Sequence, residues 1–214
     1  MTVVLLAGCG GGAGGEERGA ATGGLAGMVR DPAPRVDAEP LPDASRADAA
    51  MPLRAADDGL LLVYFGYTSC PDVCPTTMAD LRIALGDLTQ AERERVQVAM
   101  VTIDPTRDLG EVLTNYVQTF VPDGHALRTE DAVLLERVAD RFGASYSVER
   151  GESGAIEVSH TAFLYVVDDA GLLRLQWPFG TTADAVSRDL DSLLQGLDRG
   201  GSAAAPDPTD QEVS

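Results

Sequence analysis

The chain contains no lysine. All 16 of its basic residues are arginine, set against 34 acidic residues, and the formal charge is −18. That balance argues against nucleic acid and anionic membrane surfaces as partners. Its plainest consequence is solubility, with attraction of cationic partners or metal ions as the functional alternative. No stretch reaches the roughly 18–20 consecutive apolar residues that a membrane-spanning helix needs, and no internal repeat is visible. Histidine occurs only twice and cysteine three times. An odd cysteine count argues against a purely structural disulfide framework and for one pair plus one special residue. What remains is 214 residues, 44% of them hydrophobic. This composition suits one domain of about 150–180 residues with tails, long enough to bury a sizeable core.

Composition divides the chain into three parts. Residues 1–27 read as a leader followed by a flexible linker, rich in Gly, Ala and Glu after Cys9. The tetrad Leu6-Ala7-Gly8-Cys9 has the form of a bacterial lipobox, with small residues ahead of the cysteine that would receive lipid. The apolar run before it is shorter than the roughly 7–15 residues of a secretory signal, and no arginine precedes it. Cys9 is therefore a lipidation candidate, the alternative being a cysteine in a disordered leader. Residues 28–198 form the folded domain, with 31–52 extended along or near it. Residues 199–214, rich in Gly, Ser, Ala, Pro and Asp, read as a disordered tail.

Within the domain, Leu60–Gly66 (LLLVYFG) is a continuous apolar run, the pattern of a strand buried on both faces. A helix should follow from Pro75, whose missing N–H costs nothing in a first turn, with Met78, Leu81, Leu85 and Leu88 at helical spacing. Val96–Ile103 is a second buried strand. Asp108 and Glu111 have capping-box spacing ahead of a helix with Leu109, Val112, Leu113, Tyr116, Val117 and Phe120. His125–Arg128 is a short strand, and Thr129 caps a helix that Gly143 ends. Ala162–Val167 and Leu172–Trp177 form a hairpin, and the last helix spans about 182–197. Parallel strands joined by helices and closed by a hairpin predict an α/β, thioredoxin-like fold: a central mixed sheet with helices on both faces.

The chemistry concentrates where the first strand meets the first helix. Cys70 and Cys74 straddle that junction. A helix N-terminus favours negative charge and hence thiolate, which is both the nucleophile of disulfide exchange and a soft metal ligand. Three residues intervene, whereas redox thioredoxins use two. The longer bridge still permits a disulfide and lets the sulfurs spread around a metal. His160, at the entry to the third strand, is expected to face the cysteine loop. Two thiolates and one imidazole make a trigonal set suited to Cu(I), while zinc would want a fourth ligand. Asp104 and Asp108 close the second strand at the carboxyl edge of the sheet, where sites assemble. Either could orient His160 or lend the metal an oxygen, or simply cap a helix. Asp72, between the cysteines, tunes local charge or is only solvated. His125 reads as a turn residue, and Tyr64, Phe65 and Tyr67 as core packing.

The block Phe65-Gly66-Tyr67-Thr68-Ser69-Cys70-Pro71-Asp72-Val73-Cys74-Pro75 resembles the signature of the Sco/SenC family. Asp104-Pro105-Thr106-Arg107-Asp108 and Val158-Ser159-His160-Thr161 resemble its second and histidine blocks, and the resemblance covers roughly residues 51–197. It implies a thioredoxin fold and one copper ion on Cys70, Cys74 and His160, as Cu(I) or Cu(II). It also implies a role in maturing the binuclear copper centre of cytochrome c oxidase. Implied partners are the copper-site subunit of that oxidase and other copper chaperones or thiol reductants. The family is exported and membrane-anchored, which would place this chain, as a monomer, at the extracytoplasmic face of a bacterial membrane through lipid on Cys9. Two local departures stand out: no evident β-hairpin precedes Leu60, and 147–159 is short. A thiol–disulfide oxidoreductase built on the same dithiol, a redox sensor and a peroxidase are the competing functions.

Overall fold

The structure is a computed structural model and describes residues 24–150 and 156–201. Cys9, most of the leader and the tail beyond 201 lie outside the described residues. In chain order the elements are β1 (Met28–Val29), β2 (Leu41–Asp43), a 3-10 turn (Ala44–Arg46), β3 (Ala49–Met51) and β4 (Leu60–Gly66). Next come α1 (Val73–Gly86), α2 (Gln90–Arg93), β5 (Val96–Thr102), α3 (Gly110–Phe120), β6 (His125–Leu127) and α4 (Ala132–Phe142). The chain continues through β7 (Tyr146–Arg150), β8 (Ile156–His160), β9 (Phe163–Asp168), β10 (Leu173–Pro178) and α5 (Ala183–Gly201).

Eight strands form one mixed sheet in the order β1-β10-β9-β4-β5-β6-β2-β3. β4, β5 and β6 run parallel; β9 lies antiparallel to β4 and carries the β10 hairpin. All seven residues of β4 are buried, as its unbroken apolar run requires. Successive side chains of a strand point to opposite faces, and β4 shows the consequence. Phe65 packs edge-on against Phe142 of α4, ring centroids 5.3 Å apart. Its neighbour Tyr64 faces the other layer, where α1 packs against α3 and α5. This is the thioredoxin-like α/β arrangement, with helices on both faces of the sheet. Each Leu or Met in this core would cost about 2–5 kcal/mol if cut to Ala. Among the described residues, no helix is long and apolar enough to cross a membrane.

Several local expectations need correction. The segment before β4 does hold a hairpin, β2–β3, with Leu41 opposite Met51. Each strand has only three residues, too few for a period of two to declare itself, and the turn uses Ala47 and Asp48 at positive φ. Tyr146–Arg150 and Ile156–His160 are not plain loop but pair as a second, separate two-stranded sheet, β7–β8. α1 starts at Val73, so that Cys74 lies within its first turn. α4 is capped by Asp131, whose carboxylate accepts the amides of Val133 and Leu134; Thr129 only braces the Asp131 amide. Asp108 does not cap α3, whose first turn follows Leu109 without a side-chain cap.

Candidate metal centre

The cysteine loop leaves β4 at Gly66 and enters α1 at Val73. Its base is held by Asp108, which is fully buried in the loop between β5 and α3. One carboxylate oxygen accepts the Thr68 amide (3.0 Å) and the Thr102 hydroxyl (2.6 Å). The other accepts the Thr68 hydroxyl (2.6 Å). A buried carboxylate is tolerated because donors surround it, and it ties the loop to the sheet. Asp104 is engaged by Arg107 and its amide by the Thr102 hydroxyl. Neither carboxylate bonds to His160, so the expectation that one of them orients the ring is not met in this arrangement. Asp72 occupies the cap position of α1 without capping it; it is exposed and meets the Thr76 hydroxyl at 3.4 Å.

Because α1 begins before Cys74, the free amide of that residue points back into the loop. It donates to Cys70 Sγ at 3.2 Å. The helix mouth therefore serves the sulfur of Cys70, the half-buried member of the pair. Cys74 is fully buried, and burial first, then its contact with Cys70, pushes its thiol up to about 12. The sequence reading gave both sulfurs the same helix stabilisation. In the fold the two differ: one faces the amide, the other faces the core.

His160 lies at the entry to β9, as expected, with Thr161 and Ala162 between; it also ends a strand of its own, β8, which the sequence did not show. Its register partner is Tyr146. The short link from β8 to β9 turns the ring over the cysteine loop. His160 Nε2 lies 3.6 Å from Cys74 Sγ, while Nδ1 faces the Thr161 carbonyl at 3.3 Å. A carbonyl can only accept, so Nδ1 carries the proton and Nε2 presents its lone pair to the sulfur. Burial lowers the imidazole pKa, which favours the neutral, ligating form. Tyr64 and Tyr67 meet the ring edge-on, centroids 6.0 and 6.1 Å away. Arg107 stacks on the outer side of Tyr67.

Cys70, Cys74 and His160 each offer one ligand atom, and all three lie within 4.8 Å of one another. An ion shared between a thiolate at about 2.3 Å and an imidazole at about 2.0 Å leaves its ligands close to the observed sulfur–nitrogen spacing. The donor set fits a soft metal, and it equally fits a redox-active dithiol. Asp104, Asp108 and Asp72 are not among the converging atoms, and His125 is remote from them. His125 opens β6 and is not in a turn; its Nδ1 is 2.7 Å from the Asp43 carboxylate. Reading the sequence missed what Tyr64 and Gly66 do. A Cβ on Gly66 would come within 2.7 Å of Tyr64 Cε1 and 3.1 Å of Cys74 Sγ. The glycine makes room for sulfur and tyrosine to share one pocket. Period two along β4 places residues 64 and 66 on one face, and that was the available signal.

A family model for SCO1/SenC matches residues 50–195. A protein of Stutzerimonas stutzeri described as a putative copper-binding protein is 31% identical over 62% of this chain; the matched stretch spans 65% of that protein's length. The solution structure of apo Sco1 from Thermus thermophilus superposes with a TM-score of 0.65 at 31% identity, covering 84% of this chain and 99% of that one. ScoI of Bradyrhizobium japonicum, solved with copper bound, gives 0.61 at 25% identity, covering 72% and 96%. With its cysteine loop and histidine hairpin on a thioredoxin-like sheet, and the family model matching most of its length, this chain belongs to the SCO1/SenC family.

Proposed function

We propose that the chain binds one copper ion through Cys70, Cys74 and His160 and hands it on during assembly of the binuclear copper site of cytochrome c oxidase. The observation that carries this reading is the approach of His160 Nε2 to Cys74 Sγ, with Cys70 Sγ inside the same 4.8 Å cluster. Two soft sulfurs and one imidazole suit Cu(I), and no fourth donor for zinc converges among the described residues. The copper-bound Bradyrhizobium relative and the family match support the same metal. The half-buried Cys70 sulfur, held at a helix amide, is the ligand a recipient's thiol can reach first. His160, on a hairpin outside the main sheet, is the ligand that can withdraw. Transfer is then an exchange of sulfurs in which copper stays Cu(I): the recipient's thiols give up protons as they bind it, and Cys70 and Cys74 take protons up as they release it. We place the chain at the extracytoplasmic face of the membrane, as a monomer tethered through lipid on Cys9, with residues 28–198 as its working domain.

Anaerobic titration of the reduced protein with Cu(I), followed by X-ray absorption, tests the reading. One ion per chain with two sulfurs and one nitrogen is the expected result. Binding with no sulfur in the coordination sphere, or no binding, overturns it.

One observation favours a second activity on the same residues. Cys70 and Cys74 are both free thiols, one partly accessible and one buried. Cys70 thiolate would attack a recipient's disulfide and release one thiol. Cys74 would then attack the mixed disulfide, releasing the second and leaving Cys70–Cys74 oxidised. His160 is not needed for that exchange, so His160→Ala should keep it while losing copper.

A further inference from the structure

Residues 26–30 are seated on the fold by a buried carboxylate. Asp189 of α5 is buried and accepts the Ala26 amide at 2.9 Å, the Gly27 amide at 2.8 Å and the Trp177 indole N–H at 2.8 Å. Hydrogen bonds to a charged acceptor are about twice as strong as neutral ones, so Asp189 clamps this segment to β10. Gly27 is part of the seat: a Cβ there would come within 2.6 Å of Leu175 and 2.8 Å of Trp177 Nε1. Past it, Met28 and Val29 pair with β10. Arg30 then donates its amide to the Arg174 carbonyl and its guanidinium to Gln176. Neither copper binding nor disulfide exchange uses this clamp.

The register of the sheet places the clamp. Tyr64, Leu164 and Trp177 lie opposite one another across β4, β9 and β10. Met28 lies opposite Gln176, so the chain ahead of it passes Trp177 at the level of Tyr64, on the edge that carries the cysteine loop. Three strand spacings, about 14 Å, separate β1 from β4. The other end of the domain leaves elsewhere. α5 starts at this edge and runs 19 residues, about 28 Å, back along the sheet. There Asp198 pairs with Arg95, whose carbonyl accepts the Leu60 amide at the opening of β4. We infer that the domain is hung by its metal-binding edge: the Asp189 clamp makes the chain ahead of Ala26 depart beside the cysteine loop, so that an N-terminal anchor holds Cys70 close to the surface it is fixed in. A Gly-rich chain as long as residues 10–23 spans about 20 Å, less than the length of α5, so the exit point decides which edge stays near the anchor. The partner this fits is a membrane-held copper recipient whose acceptor thiols lie near that surface. The inference rests on the copper reading for what is presented, and deepens it by locating the recipient.

Energy transfer to a lipid-borne acceptor dye tests the orientation. The full metal-free chain carries a phospholipid joined covalently at residue 1 or at residue 214, with its amino terminus acylated in both forms. Because the chain has no lysine, one introduced lysine gives the donor dye a single address. Glu111→Lys places it in the first turn of α3, at the metal-binding edge, and Asp57→Lys places it just ahead of β4, at the opposite edge; both positions are exposed. On phosphatidylcholine vesicles, the N-terminal lipid should give severalfold more transfer from position 111 than from position 57, and the C-terminal lipid the reverse order. Asp189→Ala adds the released segment to the tether and should shrink the N-terminal difference. Gly27→Val, which leaves α5 untouched, should do the same, and both variants should keep the parent's Cu(I) affinity in competition with a chelator. Equal transfer from the two positions in the N-terminal form, or the opposite order, overturns the inference. An undiminished difference in both variants overturns the role given to Asp189. Since the optical test needs no metal, a chain that bound no copper would sink the copper reading and leave the orientation to be decided here.

Discussion

The two histidines of this chain lie at opposite ends of the fold's logic. His125, at the start of β6, has both ring nitrogens committed. Nδ1 meets the Asp43 carboxylate at 2.7 Å, and Nε2 meets the Gln97 amide nitrogen at 3.5 Å. The Gln97 carbonyl is itself fixed by the Ala56 amide. Asp43 also accepts from Ser45 and from the Ala126 amide. The ring is one link in a closed chain joining β2, β5, β6 and the segment ahead of β4. His160 has one weak carbonyl contact on Nδ1 and leaves Nε2 directed at a sulfur. β4, beneath the cysteines, is buried throughout, whereas Val148 and Ser159 of the His160 hairpin are exposed. A histidine with every lone pair and proton spent holds structure together. One with a lone pair aimed at soft atoms, on a lightly packed element, is free to hold and release a ligand.

Copper affinity separates the two most sharply. His160→Ala removes a ligand, and a loss larger than the 10–100-fold typical of second-sphere changes is expected, at least about hundredfold. His125→Ala should leave Cu(I) affinity within about threefold of the parent, since small effects of distant sites add independently. Competition with a Cu(I) chelator measures both. Equal losses in the two variants would erase the distinction drawn from their contacts.

Stability should reverse the ranking. Removing the His125 ring strips a buried carboxylate of one partner and opens a gap, at a cost of about 2–3 kcal/mol. His160→Ala in the metal-free protein should cost less, about 1 kcal/mol, because beyond its edge-on contacts with Tyr64 and Tyr67 the ring makes only long bonds, to Thr161 and to the Cys74 sulfur. Urea denaturation of both reduced apo variants gives the numbers. A His160 variant destabilised as much as the His125 variant would mean that the hairpin is locked to the domain and cannot serve as the mobile side of the site.

How much of this was legible in the sequence follows from the length and chemistry of each element. β4, β5 and β9 announce themselves as largely apolar runs of six or seven residues, β10 by alternation, and α3, α4 and α5 as apolar stripes at helical spacing. The three-residue strands β2 and β3 are too short for any period, whereas β6, equally short, is the strand expected at His125–Arg128. β7 and β8 do alternate apolar and polar residues, Tyr-Ser-Val-Glu against Ile-Glu-Val-Ser, but each is only five residues long and they pair with each other outside the main sheet. α2 is only four residues long, although its capping box, Thr89 with Glu92, was readable. At the site, Cys70 and Cys74 are visible because they are near in sequence. Asp108 is visible as a candidate but its task as loop anchor is not, because its partners Thr68 and Thr102 come from two different strand ends. Tyr64 was hidden inside a run in which every residue looked like core, and only the fold shows which face carries the sulfur.

The smallest effect tests whether His125 and Asp43 act together. Burial alone would raise the Asp43 carboxyl, but hydrogen bonds from Ser45, His125 and Ala126 outweigh it and hold the pKa below the usual 3.8. A carboxylate depressed in the folded state binds fewer protons there than in the unfolded chain. Its contribution to stability is therefore complete above pH 3.8 and is lost as the pH falls through the lower folded value. Urea unfolding of the apo protein should show a slope over that acid window that Asp43→Asn removes. His125→Ala should shrink the slope, because one of the bonds that depress Asp43 is gone. An Asp43→Asn variant that keeps the full acid slope would assign it to other carboxylates and leave His125 with a packing role alone.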